Sequence, residues 1–435
     1  MSSISQQEDQ KKALRKAVNE GIDSLETECR DLLSKLVSFN TTDPPAGNCA
    51  EAQSWLQGYL SSKVGTSSTE LFEDFPDDPH LVALFESRSK NGRSIIFNGH
   101  IDVAEVRVDE KWRFGPFNPT FENGNFYGRG STDMKGGIAA MVTALRAIRT
   151  SGVQLGGDVI FESVAGEEAG EAGTKSCIDR GYRADYAVIS EPTNFKIQGQ
   201  GGVITCWLTV KSNTTFHDGT RRRMIHAGGG LYGASAIEKM AKLLAAVQDL
   251  ERYWAVMKSD PRMPPGSTTI NPSYIQGGRH PAFIADECKL WLTVHMLPGE
   301  TYTSVQKEIE SCLLALCESD PWLKDNPVEF SWGGKSMFRG KGEIFPSAEI
   351  SDDSMQTLSL KRAHESVFGS SPEPVSIMPS VTDAGWFAEA GIPLAIYGPG
   401  DLAYAHSINE YIRWQDVMDA AKVYAHLLLD WCGTG

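Results

Sequence analysis

The sequence predicts an α/β fold: a mainly parallel sheet covered by helices, interrupted by an inserted two-layer α+β domain. Three patterns predict it. Short, continuously apolar strands alternate with helical segments in the first part of the chain, strict two-residue alternation takes over in the middle, and the first pattern returns near the end. At 435 residues the chain also exceeds what one hydrophobic core usually covers, so two domains are expected.

In order along the chain, SIIFNGHID (94–102), DVIFESVAG (158–166) and ADYAVISEP (184–192) read as buried strands. Between the first two, MKGGIAAMVTALRAI (134–148) repeats Ile138, Met141, Leu145 and Ile148 at helical spacing. The middle differs. VITCWLTV (203–210) puts Ile204, Cys206, Leu208 and Val210 on one face, and CKLWLTV (288–294) does the same with Cys288, Leu290, Leu292 and Val294, which suits an antiparallel sheet covered on one side. Two amphipathic helices supply the cover, one striped by Ala236, Met240, Leu243 and Val247, the other by Val305, Ile309, Cys312 and Leu316. GIPLAIYGPG (391–400) then reads as another buried strand and WQDVMDAAKVYAHLLLDW (414–431) as a closing helix. The expected division is 1–200 and 321–435 for one domain and 201–320 for the insertion.

The formal net charge of -15 opposes binding to phosphate backbones and anionic lipid, so neither nucleic acid nor membrane is an expected partner. No apolar run approaches the roughly 18 residues of a membrane span, and MSSISQQEDQKK lacks the apolar stretch of a secretion signal, so a cytoplasmic location is expected. The eight cysteines are scattered, with no CxxC pair, and read as reduced, mostly buried thiols.

Metal-competent side chains gather at one kind of place. His100 and Asp102 end one strand, Glu167 and Glu168 follow a second, and Glu191 ends a third. Ligand sites in open α/β sheets form beyond the carboxyl ends of the strands, so these residues converge there, with Asp133 at the start of the next helix and His406 beyond Gly400 facing the same crevice. Two imidazoles and several carboxylates make a mixed N/O donor set suited to zinc, manganese or cobalt. Five ligands are too many for one zinc and right for two ions bridged by a carboxylate, for which Asp133 is the candidate. Asp102, two residues from His100 on an extended segment, is placed to orient its imidazole or a neighbour. One carboxylate of the Glu167–Glu168 pair binds metal while the other takes a proton from water.

Blander readings apply to single residues. His80, His217, His280, His364 and His426 are read as structural, and strand-end carboxylates are usually solvated or capping. GRGSTDMKGG (128–137) lacks the GK[ST] ending and the GxGxxG order of phosphate loops. Ser131 and Cys177 sit in no recognisable nucleophile context. The constellation, and no single member, carries the metal reading.

Taken in order, NGHIDV, YGRGSTDMKGG, AGEEAG, ISEPT and AHSINE resemble the motif series of the M20 metallopeptidase family, which includes acetylornithine deacetylase, succinyl-diaminopimelate desuccinylase and carboxypeptidase G2. The resemblance spans residues 98–410 and implies a di-zinc catalytic domain with an inserted lid that dimerises. It assigns His100 and Glu191 to one metal, Glu168 and His406 to the other, Asp133 to the bridge, Glu167 to the general base and Asp102 to the first metal's neighbourhood. IHAGGGLYGASAI (225–237) resembles the lid motif that carries a carbonyl-polarising histidine, here His226, and TTINPSYIQGG (268–278) places Asn271 where the family has a substrate-contacting asparagine. Members that grip a substrate carboxylate carry Arg before LPGE, whereas this chain has His295, and neutral imidazole cannot reproduce a bidentate guanidinium fork. The stretch 271–300, with SVTDAGW and YGPGD, resembles the branch containing formylaminopyrimidine deformylase.

The implied reaction is hydrolysis of a small N-acyl amine, N-formyl-4-amino-5-aminomethyl-2-methylpyrimidine in that branch, by hydroxide bridging two metals, with Glu167 as base and His226 polarising the carbonyl. Two rivals are carried with it. One is an acetylornithine deacetylase-like or carboxypeptidase activity on an N-acyl amino acid, and the other is a metal-binding protein without catalysis.

Overall fold

The computed structural model describes residues 2–43, 49–74, 78–220, 233–333 and 343–434. It divides into two compact units, one of Met1–Gly199, Ile350–Met378 and Thr382–Gly435, the other of Gln200–Glu349 with Pro379–Val381.

The first unit is built on an eight-stranded mixed sheet. Its central strands run parallel: Ile95–His100 lies between Val159–Val164 and Ala187–Ile189, and Leu394–Ile396 continues beyond the latter. The flanks are antiparallel, with Ser68–Glu73 and Pro79–Phe85 on one side and Gln198–Gln200 on the other. Every residue of Ile95–His100, Val159–Val164, Ala187–Ile189 and Leu394–Ile396 is buried, the pattern of strands covered on both faces. Helix Gly136–Thr150 is buried through nearly its whole length, as is Trp414–Trp431, and the two pack together. Helices apolar all round belong in an interior, and these fill it.

The second unit is a five-stranded antiparallel sheet in the order Ile270–Gly277, Glu287–Met296, Gly202–Lys211, Glu329–Trp332, with Ile344–Phe345 also paired to Gly202–Lys211. Helices Ala236–Met257 and Tyr302–Ser319 cover one face through Met240, Leu243, Val247, Val305 and Ile309 on Ile204, Leu208, Leu290 and Val294. Each such side chain contributes ~1.5–3 kcal/mol on burial. Buried Asp320 ties the helices together: it follows Ser319, accepts from the backbone N–H groups of Trp322 and Leu323, and pairs with Lys239 and Lys242.

Two expectations need correction. The insertion ends at Glu349 and not at 320, because Glu329–Trp332 and Ile344–Phe345 extend its sheet. These strands are too short to alternate visibly. On the second helix Leu313 and Cys317 are the buried residues beyond Ile309, at four-residue steps, while Leu316 packs against the core only partly buried and Cys312 is half-buried. All eight cysteines are free thiols, seven of them buried. Among the described residues no helix is long and apolar enough to cross a membrane.

Candidate metal centre

Strand register brings the site together. In the parallel pairs His100 stands opposite Val164 and Asn98 opposite Ile189, while Ile396 stands opposite Ile189, so these strands end at one edge. His100 is the last residue of its strand, Glu167 and Glu168 follow shortly after Val164, Glu191 comes two residues after Ile189, and His406 follows the turn Leu402–Tyr404.

Asp133 lies just outside the helix it was expected to open. Its backbone is extended (φ -119°, ψ 97°), and the helix begins at Gly136. That helix approaches the Glu191 strand end closely because residue 137 is glycine: a Cβ there would fall 2.3 Å from the carbonyl oxygen of Ser190 and 2.4 Å from its hydroxyl. Alanine improves helix propensity by ~1 kcal/mol, whereas overpacking costs ~1–3 kcal/mol. The clash is with backbone and wins, so Gly137→Ala is expected to lower the midpoint of a thermal melt; an unchanged or raised midpoint would refute the close approach.

At the centre the two oxygens of one carboxylate face two imidazoles. Asp133 Oδ1 is 3.1 Å from His100 Nε2, and Oδ2 is 3.2 Å from His406 Nε2. Glu168 Oε1 lies 3.0 Å from His406 Nε2, and Glu191 Oε1 lies 3.8 Å from His100 Nε2. His100 Nδ1 donates to the carbonyl of Asp102 at 3.0 Å, which leaves Nε2 as the ring atom that faces the carboxylates, donating to Asp133 when protonated and available to a cation when not. The Asp102 carboxylate serves a different neighbour. Its Oδ2 accepts the backbone N–H of Glu168 at 2.9 Å, while Oδ1 stands 3.7 Å from His100 Nδ1. Asp102 thus orients one imidazole through its main chain and one carboxylate through its side chain.

The electrostatics follow from crowding acids in a dry place. Burial, with the neighbouring Glu191 and Glu168, pushes the Glu167 carboxyl well above the usual range, and burial does the same to Glu191 and raises Glu168. Burial also opposes holding a negative charge at Asp133, but the two imidazoles override it and hold its pKa low. Burial opposes protonation of His100, yet Asp133, Glu191 and Glu167 push its pKa well above normal. Hydrogen bonds that His406 donates to Asp133 and Glu168 raise its pKa to about 10. Such a cluster attracts cations.

Two further residues hold the cluster, and sequence reasoning passed over both. Glu410 Oε1 accepts the backbone N–H groups of Thr132 (2.9 Å) and Asp133 (3.1 Å), and Oε2 pairs with Arg129 Nη1 at 2.8 Å. Arg129 Nη2 donates to the carbonyl of His406 at 3.2 Å. Both residues stand inside motifs read for their neighbours, GRGSTDMKGG and AHSINE, so the signal was an unassigned opposite-charge pair.

Residues 96–430 match peptidase family M20/M25/M40. The chain belongs to that family. As an M20-family member it is a hydrolase of amide C–N bonds. It is 49% identical to the N-formyl-4-amino-5-aminomethyl-2-methylpyrimidine deformylase of Halalkalibacterium halodurans over 94% of this chain and 96% of that protein, and 49% identical to the Bacillus subtilis protein of the same name over 92% and 94%. Its fold is similar to that of the YXEP protein of Bacillus subtilis, a dinuclear metal-binding peptidase of the family, with a TM-score of 0.64 at 13% identity, covering 95% of this chain and 100% of that one.

The donor set fits the two ions that the sequence suggested. Among the described residues His100, Asp133 and Glu168 form a group able to hold a cation, and His406 and Glu191 extend it on either side of Asp133. The remaining expected residues belong elsewhere. Asn271 and His295 are in the second unit, on adjacent strands, where Asn271 stands opposite Thr293. Since Ile270 and Val294 face the helices, Asn271 and His295 share the other face. His226 lies outside the described residues.

The histidines read as structural are occupied locally. His80 accepts the N–H of Ala165, His364 bonds the Tyr397 hydroxyl, His426 bonds Ser366 and Asn19, His217 stands beside Asp218, and His280 accepts the N–H of Ala282. Burial holds His80, His364 and His426 at about 4, so they are neutral.

Proposed function

We propose that this M20-family chain is a two-metal amidohydrolase that removes a formyl group from a small amine, with N-formyl-4-amino-5-aminomethyl-2-methylpyrimidine as its substrate class. The observation that carries the metal chemistry is Asp133, whose two oxygens face different imidazoles, the arrangement a bridging carboxylate requires. His100 and Glu191 would hold one ion, Glu168 and His406 the other, and Asp133 both. Zinc fits best, with cobalt or manganese compatible with the donors. When bound, such a pair supplies Lewis acidity to the scissile carbonyl and acidifies water.

The chain's own residues do the rest. Glu167, adjacent to Glu168 but absent from its contact with His406, accepts a proton from the attacking water and returns one to the leaving amine nitrogen. The products are a neutral amine and formic acid, which gives up its remaining proton to become formate. Asp102 keeps His100 and Glu168 aimed. Asn271 and His295 are proposed to contact substrate and His226 to polarise its carbonyl. A homodimer through the second unit belongs to the same reading, supported by the edge strand Ile270–Gly277, which exposes Tyr274 and Ile275.

The substrate class rests on the 49% identity of the deformylases and on His295, which offers no fork for a carboxylate. It is tested by kcat/KM of metal-reconstituted protein on N-formyl and N-acetyl aminomethylpyrimidine and on N-acetyl amino acids. Formyl is expected to be preferred over acetyl by ~10–200-fold, the range one methyl group allows. Preference for the amino acids would overturn the substrate reading and leave the metal chemistry standing.

A further inference from the structure

Asp133 and His406 are separated by most of the chain, yet both are attached to one buried ion pair. The Arg129 guanidinium and the Glu410 carboxylate are 2% and 0% exposed and meet at 2.8 Å. On the acid's side, a single oxygen takes two consecutive N–H groups, those of Thr132 and Asp133. On the base's side, Nη2 reaches the His406 carbonyl at 3.2 Å and Nη1 the Ser407 carbonyl at 3.4 Å. The indole of Trp112 lies 5.2 Å from the guanidinium carbon. Two more bonds close the seam between the segments, Gly128 N–H to the Glu410 carbonyl at 3.0 Å and the Thr132 hydroxyl to the Tyr411 carbonyl at 2.5 Å.

We infer that Arg129 and Glu410 are positioning residues that act as one unit, fixing the separation of the bridging carboxylate Asp133 from His406. The inference rests on the two-metal reading above. Neither Asp133 nor His406 has the backbone angles of a regular helix. Asp133 is extended immediately before a helix, and His406 sits in the left-handed region at φ 57°, where a side-chain-bearing residue is uncommon. Bonds to the main chain of each fix where its side chain starts. Because those bonds come from opposite ends of one ion pair, loosening either end shifts Asp133 Oδ2 relative to His406 Nε2, now 3.2 Å apart. Arginine is required at 129, since only its fork reaches a carboxylate and a carbonyl together, where an ammonium serves one.

The test measures metal binding to the full chain by calorimetry with zinc, alongside the visible spectrum of the cobalt-loaded protein, for wild type, Glu410→Gln, Arg129→Lys and the double variant. Wild type is expected to bind two equivalents. Glu410→Gln keeps the size but turns an amide N–H₂ toward either the guanidinium or the two backbone donors, so one contact is lost. It is expected to weaken one equivalent by ~10–100-fold, as loss of an outer partner typically does, to change the cobalt spectrum, and to lower kcat with KM unchanged, with excess metal restoring activity. Arg129→Lys is expected to do the same. The double variant should be no worse than either single, since the pair acts as a unit. Two equivalents held as tightly as in wild type with an unaltered spectrum, or effects that simply add, would overturn the inference while the metal reading stands. Fewer than two equivalents on wild type would overturn that reading itself. Metal-free melting temperatures show whether each variant folds, and Arg129→Lys, which retains the charge, carries the test should Glu410→Gln fail to fold.

Discussion

Replacing Glu167 by glutamine is expected to reduce kcat by ~10²–10⁴-fold, the range general acid–base catalysis contributes, while leaving bound metal unchanged. The reason is a division of labour within one dipeptide. Glu168 contacts His406 at 3.0 Å, and its backbone is tied to Asp102 at 2.9 Å. Glu167 makes neither contact, but burial and the neighbouring carboxylates of Glu191 and Glu168 raise its proton affinity. A base that must also return its proton needs that property. Glutamine preserves the shape and removes the proton-accepting oxygen, so turnover and metal content separate. Kinetics on the metal-loaded variant together with elemental analysis check this. Metal lost in step with activity would make Glu167 a ligand and reverse its role with Glu168.

Much of this was legible before the structure because the relevant signals are local. The run Ile95–His100 opens on three apolar residues and closes on a histidine, and a polar residue at the carboxyl end of a buried strand has few places to go. Five such residues therefore point to one crevice without knowledge of their contacts. Alternation in Gly202–Lys211 and Glu287–Met296 was equally plain, because one face packs on helices and the other does not. Where the signal is short it fails: Ile344–Phe345 is two residues long and was read as part of the following domain.

What the sequence hid is pairwise. Arg129 and Glu410 are 281 residues apart, and nothing in the spacing of either motif says that they touch. The same holds for Asp102. Its position beside His100 suggested that it orients that imidazole or a neighbour without saying by which atom; in the structure the carbonyl accepts from His100 and the carboxylate accepts the N–H of Glu168. Spacing shows which side a residue points to; which atom it uses depends on a segment brought in from elsewhere by the sheet. Asp133 shows a related limit, since helical periodicity after Gly136 made it look like a helix start, while φ and ψ place it in an extended link whose N–H groups Glu410 satisfies.

That link makes Asp133 the residue whose loss separates the two-metal reading from a single-ion one. In Asp133→Ala both equivalents of metal are expected to be lost together and activity to fall by more than the ~10–100-fold typical of an outer partner. In His406→Ala only one is expected to go. The reason is connectivity: Asp133 reaches both imidazoles, at 3.1 and 3.2 Å, whereas His406 reaches Asp133 and Glu168 only, and His100 retains Asp133 and Glu191 without it. A metal-free melt of Asp133→Ala checks its folding, since Glu168 and Glu191 lose a like-charged neighbour while His100 and His406 lose the carboxylate they pair with. Titration of each metal-free variant with zinc, read as stoichiometry, decides the matter. One equivalent retained at wild-type affinity by Asp133→Ala would show two independent sites, and the bridging role would have to be given up.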